Sequence, residues 1–189
     1  MSTVLGLAVL GVVGLAGLAI VWQTLTVGIS PLPSSARARD AMLALLPPTL
    51  EGPVHELGAG WGTVAVPLAR RLPNATVIAW ERSVVPFAVL WLRARGLRNL
   101  EVRRADFFGA DFSRASAVVC YLFTGAMERL SRRLRTDLPP GAVVVTHTFA
   151  LRGWQPELTQ RLDDLYRTPV YRYRVEASSQ PLASGGDQK

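Results

Sequence analysis

An apolar segment that ends in a carboxylate and then runs into alternating glycines limits the fold of this chain more than any other feature. In residues 54–62, Glu56 is followed by Gly58, Gly60 and Gly62. Glycines at every second position remove the Cβ atoms that would keep a ligand away from the backbone. The pattern therefore predicts a strand, a tight turn and a helix that admit a nucleotide-like ligand close to the main chain.

The helix predicted over residues 63–71 would point its free N–H groups and its positive dipole end at that ligand. A second apolar segment, residues 75–80, leads into Glu81, which would place another carboxylate beside a ribose. Thr63 stands where the dinucleotide fingerprint Gly-x-Gly-x-x-Gly has its third glycine. The sequence therefore disfavours a nicotinamide or flavin cofactor.

A third acid, Asp106, follows the strand predicted at residues 100–104 and precedes Phe107. Strands and helices alternate along the chain, which predicts a parallel α/β sheet covered by helices on both faces. Ligands bind such sheets at the carboxyl ends of the strands, where these acids lie. Residues 157–164 fit either a strand or a helix. The predicted strands are 53–56, 76–80, 100–104, 117–122, 142–148 and 169–175, and the predicted helices are 36–46, 63–71, 85–95 and 126–134.

Composition narrows the possible functions. A chain of 189 residues with 49% hydrophobic residues fits one domain that buries a sizeable core. Its single cysteine, Cys120, excludes a disulfide within the chain, and apolar neighbours predict that it is a buried strand residue. His55 and His147 are the only histidines, so no metal site is expected. The net charge is +7, but the arginines are spread along the chain, so no nucleic-acid partner is expected.

The amino-terminal segment, residues 4–25, contains no charged residue. At about 1.5 Å per residue, a helix of this length crosses a hydrocarbon layer of roughly 30 Å. A cleaved signal peptide is the alternative, but no Lys or Arg precedes the apolar residues and no small-x-small cleavage site follows them. Arg37 and Arg39 lie just beyond the segment, so the positive-inside rule predicts a single-pass protein with a cytoplasmic domain. The predicted parts are an anchor at 1–29, one domain at 30–177 and a flexible polar tail at 178–189.

The glycine turn and the three acids resemble the Rossmann-like class of S-adenosylmethionine-dependent methyltransferases, over residues 33–177. The resemblance implies a three-layer sandwich whose mostly parallel sheet is closed by an antiparallel hairpin. It also implies S-adenosylmethionine as the cofactor. The residues it places at the cofactor are Glu56, Gly58, Gly60 and Gly62, with Glu81 on the ribose hydroxyls and Asp106 and Phe107 on the adenine.

The resemblance places the methyl-transfer site beside the end of the strand predicted at 117–122. Methyl transfer is an in-line displacement at a carbon on a sulfonium, so the site needs alignment and walls that tolerate positive charge, which aromatic faces provide. Tyr121 and Phe123 either line this site or belong to the core. His147 is either a base that deprotonates an incoming ammonium or a hydrogen-bonded structural histidine. His55 is interpreted as structural.

Within that class, the chain resembles the small membrane-anchored protein-lysine methyltransferases. The resemblance rests on the amino-terminal span, the Pro-Ser linker into a helix, and the segments 85–91 and 149–154. The mitochondrial enzymes of that group modify the adenine nucleotide translocase and the c-subunit of ATP synthase, and compact bacterial relatives exist. The chain departs from the mitochondrial enzymes at Trp61 and at residues 121–124. Their lysine specificity is therefore not carried over to this chain. A bacterial inner-membrane location is expected.

These observations predict a membrane-anchored methyltransferase that N-methylates a lysine of a membrane-associated protein. One alternative is an enzyme that methylates a lipid, a quinone or another small molecule. The other is a non-catalytic membrane module that retained the fold. Gly11, Gly14 and Gly17 are spaced by three rather than four, so the span gives no indication of a dimer and the oligomeric state stays open.

Overall fold

The computed structural model describes residues 5–11, 13–14, 17 and 35–176. Within residues 35–176 the chain forms helices α1 (Ala36–Ala44), α2 (Ala65–Arg71), α3 (Val84–Ala94) and α4 (Thr124–Asp137), and a short 3₁₀ helix at Phe107–Gly109. The strands are β1 (Val54–Leu57), β2 (Val77–Trp80), β3 (Leu100–Arg103), β4 (Ala117–Cys120), β5 (Val143–His147), β6 (Leu158–Arg161) and β7 (Pro169–Arg174).

All seven strands belong to one sheet, in the order β3-β2-β1-β4-β5-β7-β6. Strands β1 to β5 pair in parallel, whereas β7 runs antiparallel to β5 and β6 runs antiparallel to β7. The strand order reverses between β1 and β4, so the carboxyl ends of these two strands open a crevice. The prediction of a mostly parallel sheet closed by an antiparallel hairpin is confirmed.

Successive side chains of a strand point to opposite sides of the sheet. Because helices cover both sides, the central strands are buried on both faces. Val54 of β1 packs in the core that includes Leu68 of α2 and Leu90 of α3. Leu57 of the same strand packs in the opposite core with Leu130 of α4. Burying each such leucine contributes about 2 kcal/mol. The two cores make the domain a three-layer sandwich, with α1, α2 and α3 on one face and α4 on the other.

Two helices differ from their predicted ranges for identifiable reasons. Helix α2 begins at Ala65 rather than at residue 63, because Pro67 has no N–H to donate to the carbonyl oxygen of Thr63, and the regular bonds begin with Leu68 to Val64 at 2.9 Å. Helix α4 is longer than the predicted 126–134, and an ion pair of 2.8 Å between Arg133 and Asp137 supports its last turn. The other predicted elements match to within two residues at either end.

The segment 157–164, which fitted either a strand or a helix, contains the exposed edge strand β6. Antiparallel pairing brings Arg161, its last residue, opposite Pro169, the first residue of β7. His147, the last residue of β5, pairs with Val170, and the N–H of Thr148 donates to the carbonyl oxygen of Pro169 at 2.8 Å. The turn between β6 and β7, residues 162–168, therefore lies at the carboxyl edge of β5. We call it the hairpin turn.

Two residues singled out in the sequence are structural. His55 lies within β1, where its Nδ1 accepts a hydrogen bond of 3.1 Å from the indole N–H of Trp80. Burial, with a contribution from Arg103, lowers the pKa of His55 to about 4, so the ring is uncharged at neutral pH. Cys120 is the buried last residue of β4, and burial raises the pKa of its thiol to about 12. A thiolate nucleophile is therefore absent at this position at neutral pH.

Most of the predicted anchor at 1–29 lies outside the described residues, and the predicted tail at 178–189 lies wholly outside them. Residues 5–11 are helical and exposed. Among the residues that the structure describes, no helix combines the length and the apolar character needed to span a bilayer.

Candidate functional site

The glycine turn from Gly58 to Gly62 follows β1 at the point where the strand order reverses. The N–H groups of Gly58 and Ala59 both donate to the carbonyl oxygen of Trp80, at 3.0 and 2.9 Å, which ties the turn to the end of β2. Gly58, Gly60 and Gly62 have φ values of +73°, +53° and +76°. Left-handed backbone costs other residues roughly 1–2 kcal/mol, so all three positions favour glycine.

The three glycines nevertheless have different surroundings. A Cβ atom at Gly62 would lie 2.4 Å from Cδ1 of Leu90, and one at Gly58 would lie 2.9 Å from Cδ2 of Leu122. These two glycines let the turn pack closely on the core. A Cβ atom at Gly60 would have the carbonyl oxygen of Gly58 as its nearest described neighbour, at 4.0 Å. Gly60 is therefore the glycine whose missing side chain leaves space for a ligand.

Glu81 immediately follows β2, and its carboxylate holds the glycine turn. Its Oε2 accepts a hydrogen bond of 2.8 Å from the N–H of Gly60, and its Oε1 accepts one of 2.6 Å from the N–H of Ser83. Each carboxylate oxygen has a second lone pair. Glu81 can therefore bind a ligand hydroxyl without releasing the turn.

Glu56 lies in β1 and is buried beside the turn. The backbone N–H of Ala65, at the start of α2, bonds to its carboxylate, but its Oε2 has no hydrogen-bond partner among the described residues. Burial and repulsion from Glu81 raise the pKa of Glu56 well above its usual value. An unpaired buried polar atom costs about 1–3 kcal/mol. A cationic ligand group next to Oε2 would remove this penalty and favour the charged form of Glu56.

Asp106 and Phe107 follow β3, at the third predicted position. Oδ1 of Asp106 accepts a hydrogen bond of 2.9 Å from the N–H of Phe108 and so caps the 3₁₀ helix. The rings of Phe107 and Phe108 lie 4.6 Å apart and are half-buried. The guanidinium of Arg129 lies over the Phe108 ring at 3.9 Å. The structure therefore gives Asp106 a capping role and places an aromatic pair beside it.

Tyr121 and His147 come together at the ends of β4 and β5. Their ring centroids lie 4.5 Å apart in an edge-on arrangement. His147 is only 8% exposed, whereas Tyr121 is 40% exposed. Nδ1 of His147 has no hydrogen-bond partner in the part of the chain that the structure describes. Phe123, the residue before α4, is 43% exposed, and no described ring contact joins it to this pair.

Sequence reasoning missed two features of the site. Asp164, in the hairpin turn, interacts electrostatically with His147. The predicted closing hairpin is the signal that could have identified Asp164, because an antiparallel hairpin returns the chain to the carboxyl edge of the sheet. Arg93 of α3 donates a hydrogen bond of 2.5 Å to the carbonyl oxygen of Trp61, which ties the glycine turn to α3. No sequence pattern predicts that contact.

These residues fit S-adenosylmethionine, which carries an ammonium, a sulfonium, a ribose and an adenine. The buried Oε2 of Glu56 has no hydrogen-bond partner among the described residues and can accept one from a cationic group. Glu81 has lone pairs that can accept hydrogen bonds from hydroxyl groups. Gly60 leaves the space beside them open, and Phe107 belongs to an aromatic pair suited to a flat ring. The sheet order and this arrangement define the class of Rossmann-like methyltransferases.

Comparison with known proteins agrees with that class. The model of the ANTKMT methyltransferase domain matches residues 56–158, which include the glycine turn and the three acids. The chain therefore belongs to the ANTKMT methyltransferase domain family. It is 26% identical over 136 residues to a protein-lysine N-methyltransferase of Saccharolobus islandicus (strain REY15A), a match that covers 70% of this chain and 84% of that protein.

Solved structures show the same fold. An RNA methyltransferase from Salinibacter ruber in complex with S-adenosyl-L-homocysteine is 27% identical to this chain, with a TM-score of 0.69. The match covers 83% of this chain and 100% of that chain. The precorrin-6y C5,15-methyltransferase from Geobacter metallireducens GS-15 is 17% identical to this chain, with a TM-score of 0.55. The match covers 71% of this chain and 85% of that chain. The protein is an S-adenosylmethionine-dependent methyltransferase, and the predicted cofactor is confirmed.

Alanine at two of the glycines should separate folding from ligand binding. Gly62→Ala places a methyl group 2.4 Å from the buried Leu90, at a φ of +76°, so we expect it to lower stability by about 3 kcal/mol. Gly60→Ala meets open space, so we expect a loss of only about 1 kcal/mol. It should nevertheless weaken S-adenosylhomocysteine binding about tenfold or more. Thermal denaturation and calorimetric titration measure both effects, and equal stability losses with unchanged binding would contradict this division of roles.

Glu56→Gln should stabilise the ligand-free protein at neutral pH and weaken cofactor binding. The folded-state pKa of Glu56 is raised, so its ionisation opposes folding increasingly as the pH rises from the unfolded-state pKa toward the folded-state one. The gain in Tm should therefore grow with pH and reach a few degrees, since 1 kcal/mol is worth about 2–4 °C in a domain of this size. Glu51→Gln, at an exposed glutamate, is the matched control. A lower Tm for Glu56→Gln at neutral pH would show that the charged carboxylate stabilises the fold.

Proposed function

We propose that this methyltransferase N-methylates a lysine side chain of a membrane-associated protein. The observation that carries the proposal is the buried His147, whose Nδ1 lacks a partner among the described residues and whose ring packs on Tyr121. In a hydrogen-bonded structural histidine, that nitrogen would have a hydrogen-bond partner. The name of the Saccharolobus islandicus relative, a protein-lysine N-methyltransferase, supports lysine as the acceptor.

The residues that we assign to the cofactor lie around the glycine turn. Bound S-adenosylmethionine supplies a methyl group on a sulfonium sulfur, whose C–S bond breaks as the acceptor nitrogen forms the new N–C bond. In this assignment Glu56 faces positive charge, Glu81 binds hydroxyl groups and Gly60 provides the open space. The complete set is Glu56, Gly58, Gly60, Gly62, Glu81, Asp106 and Phe107.

The residues that we assign to the acceptor are Tyr121, Phe123 and His147. A lysine arrives as an ammonium with an ordinary pKa of about 10.4, and it must lose a proton before its lone pair can attack. Burial lowers the pKa of His147, whereas the charge of Asp164 raises it. The imidazole is neutral at physiological pH and has a lone pair for that proton, and Asp164 stabilises the protonated ring. The exposed rings of Tyr121 and Phe123 offer faces that stabilise the approaching cation. The proton then passes from His147 to solvent.

The path of the chain supports an acceptor at the membrane. Arg37, in the first turn of α1, donates a hydrogen bond of 2.8 Å to the carbonyl oxygen of Asp163 in the hairpin turn. At the other end of α1, the carbonyl oxygen of Leu45 accepts one of 3.3 Å from Arg172, within β7. Helix α1 therefore begins at the carboxyl edge of the sheet. A membrane span at residues 4–25 would enter the domain on the same side as Tyr121 and His147, so the site would face the bilayer.

Label from the methyl donor should appear in protein as methyl-lysine. The assay uses the full-length chain, methyl-labelled S-adenosylmethionine and membranes from a source strain that lacks the protein, followed by separation of protein from lipid. We expect His147→Gln to lower the rate about 100-fold or more, because general-base groups contribute about 10²–10⁴-fold. S-adenosylhomocysteine affinity should stay unchanged. Label in the lipid extract would contradict lysine methylation and favour the small-molecule alternative, and an unchanged rate in His147→Gln would remove His147 from the mechanism.

A chain without residues 1–29 should keep its cofactor affinity and methylate the membrane-held acceptor at least several-fold more slowly. The reason is that an anchor confines enzyme and acceptor to one surface and so raises their effective concentration. Calorimetric titration and the label assay measure the two effects. Equal rates for the shortened and full-length chains, in the same membranes, would show that confinement plays no part.

A further inference from the structure

The hairpin turn is held in one conformation although it lies at the protein surface. The N–H of Arg167 donates to the carbonyl oxygen of Asp164 at 3.0 Å, and the N–H of Thr168 donates to its Oδ1 at 2.8 Å. Arg37 adds the bond to the carbonyl oxygen of Asp163 from the start of α1. The side chains at the tip of the turn are therefore presented from a fixed backbone.

The tip carries Leu165 and Tyr166, which are 88% and 84% exposed. They are the most exposed large apolar side chains in the described part of the chain. Adjacent apolar side chains that a fixed turn holds in water contribute little to the fold and are typical of contact surfaces. Because the hairpin turn lies at the carboxyl edge of β5, this contact surface lies at the same edge of the sheet as His147.

The charge beside this surface favours an amine-bearing polypeptide over an anionic lipid surface. The hydrogen bond from the N–H of Thr168 is the main cause that lowers the pKa of Asp164, so this carboxylate is charged at neutral pH. Asp164 is also the charged group that acts on His147. The hairpin turn contains two acids, Asp163 and Asp164, and one base, Arg167, so its net charge is −1. It therefore has no excess of positive charge that would attract an anionic bilayer. A single ammonium that approaches His147, by contrast, meets the charge of Asp164.

We propose that the hairpin turn recognises the acceptor, with Leu165 and Tyr166 in contact with apolar residues that flank the target lysine and Asp164 drawing its ammonium toward His147. Asp164 acts as a positioning residue. The inference rests on the proposed lysine methylation and adds the sequence class of the acceptor, a lysine between apolar side chains.

The test uses two synthetic peptides that each contain one lysine, flanked by leucines in one and by serines in the other. Full-length protein in detergent micelles is assayed by mass spectrometry of the methylated product. We expect the wild type to prefer the leucine-flanked peptide through a lower KM. The double variant Leu165→Ser/Tyr166→Ser should raise that KM about tenfold. Its kcat, Tm and S-adenosylhomocysteine affinity should stay at the wild-type values, because both side chains are exposed.

Asp164→Asn isolates the charge, because the amide oxygen can still accept the hydrogen bond from Thr168. We expect it to raise the KM of both peptides several-fold and to reduce the dependence of KM on salt. Asp163→Asn, which removes the same charge one residue away, is the matched control and should change KM little.

Each outcome decides between specific alternatives. An unchanged peptide preference in the double variant would overturn the inference and leave lysine methylation standing. If the double variant kept the wild-type peptide kinetics but lost binding to anionic phospholipid vesicles, the hairpin turn would be a membrane contact. That result would also overturn the inference. Methylation of neither peptide by a wild-type protein that binds S-adenosylhomocysteine would contradict the proposed lysine activity, and the inference with it.

Discussion

The bond between the carboxylate of Glu81 and the backbone of the glycine turn is the interaction on which the site depends. One oxygen holds the N–H of Gly60 and the other holds the N–H of Ser83. The turn that follows β1 is thereby fixed to the residue that follows the neighbouring strand β2. The same carboxylate lies close enough to Glu56 to repel it, which contributes to the raised pKa of that buried acid. The ligand-free site thus holds an unfavourable charge arrangement that a cationic ligand relieves, as is common where function takes precedence over stability.

The carboxyl edge of the sheet gathers elements that are far apart in the sequence. The glycine turn follows β1, Tyr121 and His147 follow β4 and end β5, and the hairpin turn precedes β7. Parallel strands bring their carboxyl ends to one edge, and the antiparallel hairpin returns the chain there a last time. Because α1 also begins at this edge, the membrane span that we propose would hold the edge toward the bilayer. Substrate confinement and acceptor recognition would then share one face of the domain.

The order of strands and helices was predictable from the sequence because it follows local patterns. Apolar segments ending in acids and a glycine turn identify the parallel strands and the cofactor edge, and the structure places Glu56, Gly60 and Glu81 together as expected. The separate roles of the glycines were not predictable, because they depend on Leu90 and Leu122, which are distant in sequence. The start of α2 at Ala65 follows from Pro67, whose missing N–H leaves the carbonyl oxygen of Thr63 without a helical donor, so the sequence did contain a signal for it. Asp164 was missed because only the hairpin register brings it near His147.

We propose that the glycine turn held by the carboxylate of Glu81 forms the cofactor site of this methyltransferase. Calorimetric titration of the full-length protein with S-adenosylmethionine and S-adenosylhomocysteine tests it most directly, with Glu81→Gln as the comparison variant. We expect saturable one-site binding of both ligands to the wild type, and we expect Glu81→Gln to lose this binding while it remains folded by circular dichroism. Undiminished binding by a folded Glu81→Gln variant, or no binding by the folded wild type, would contradict it.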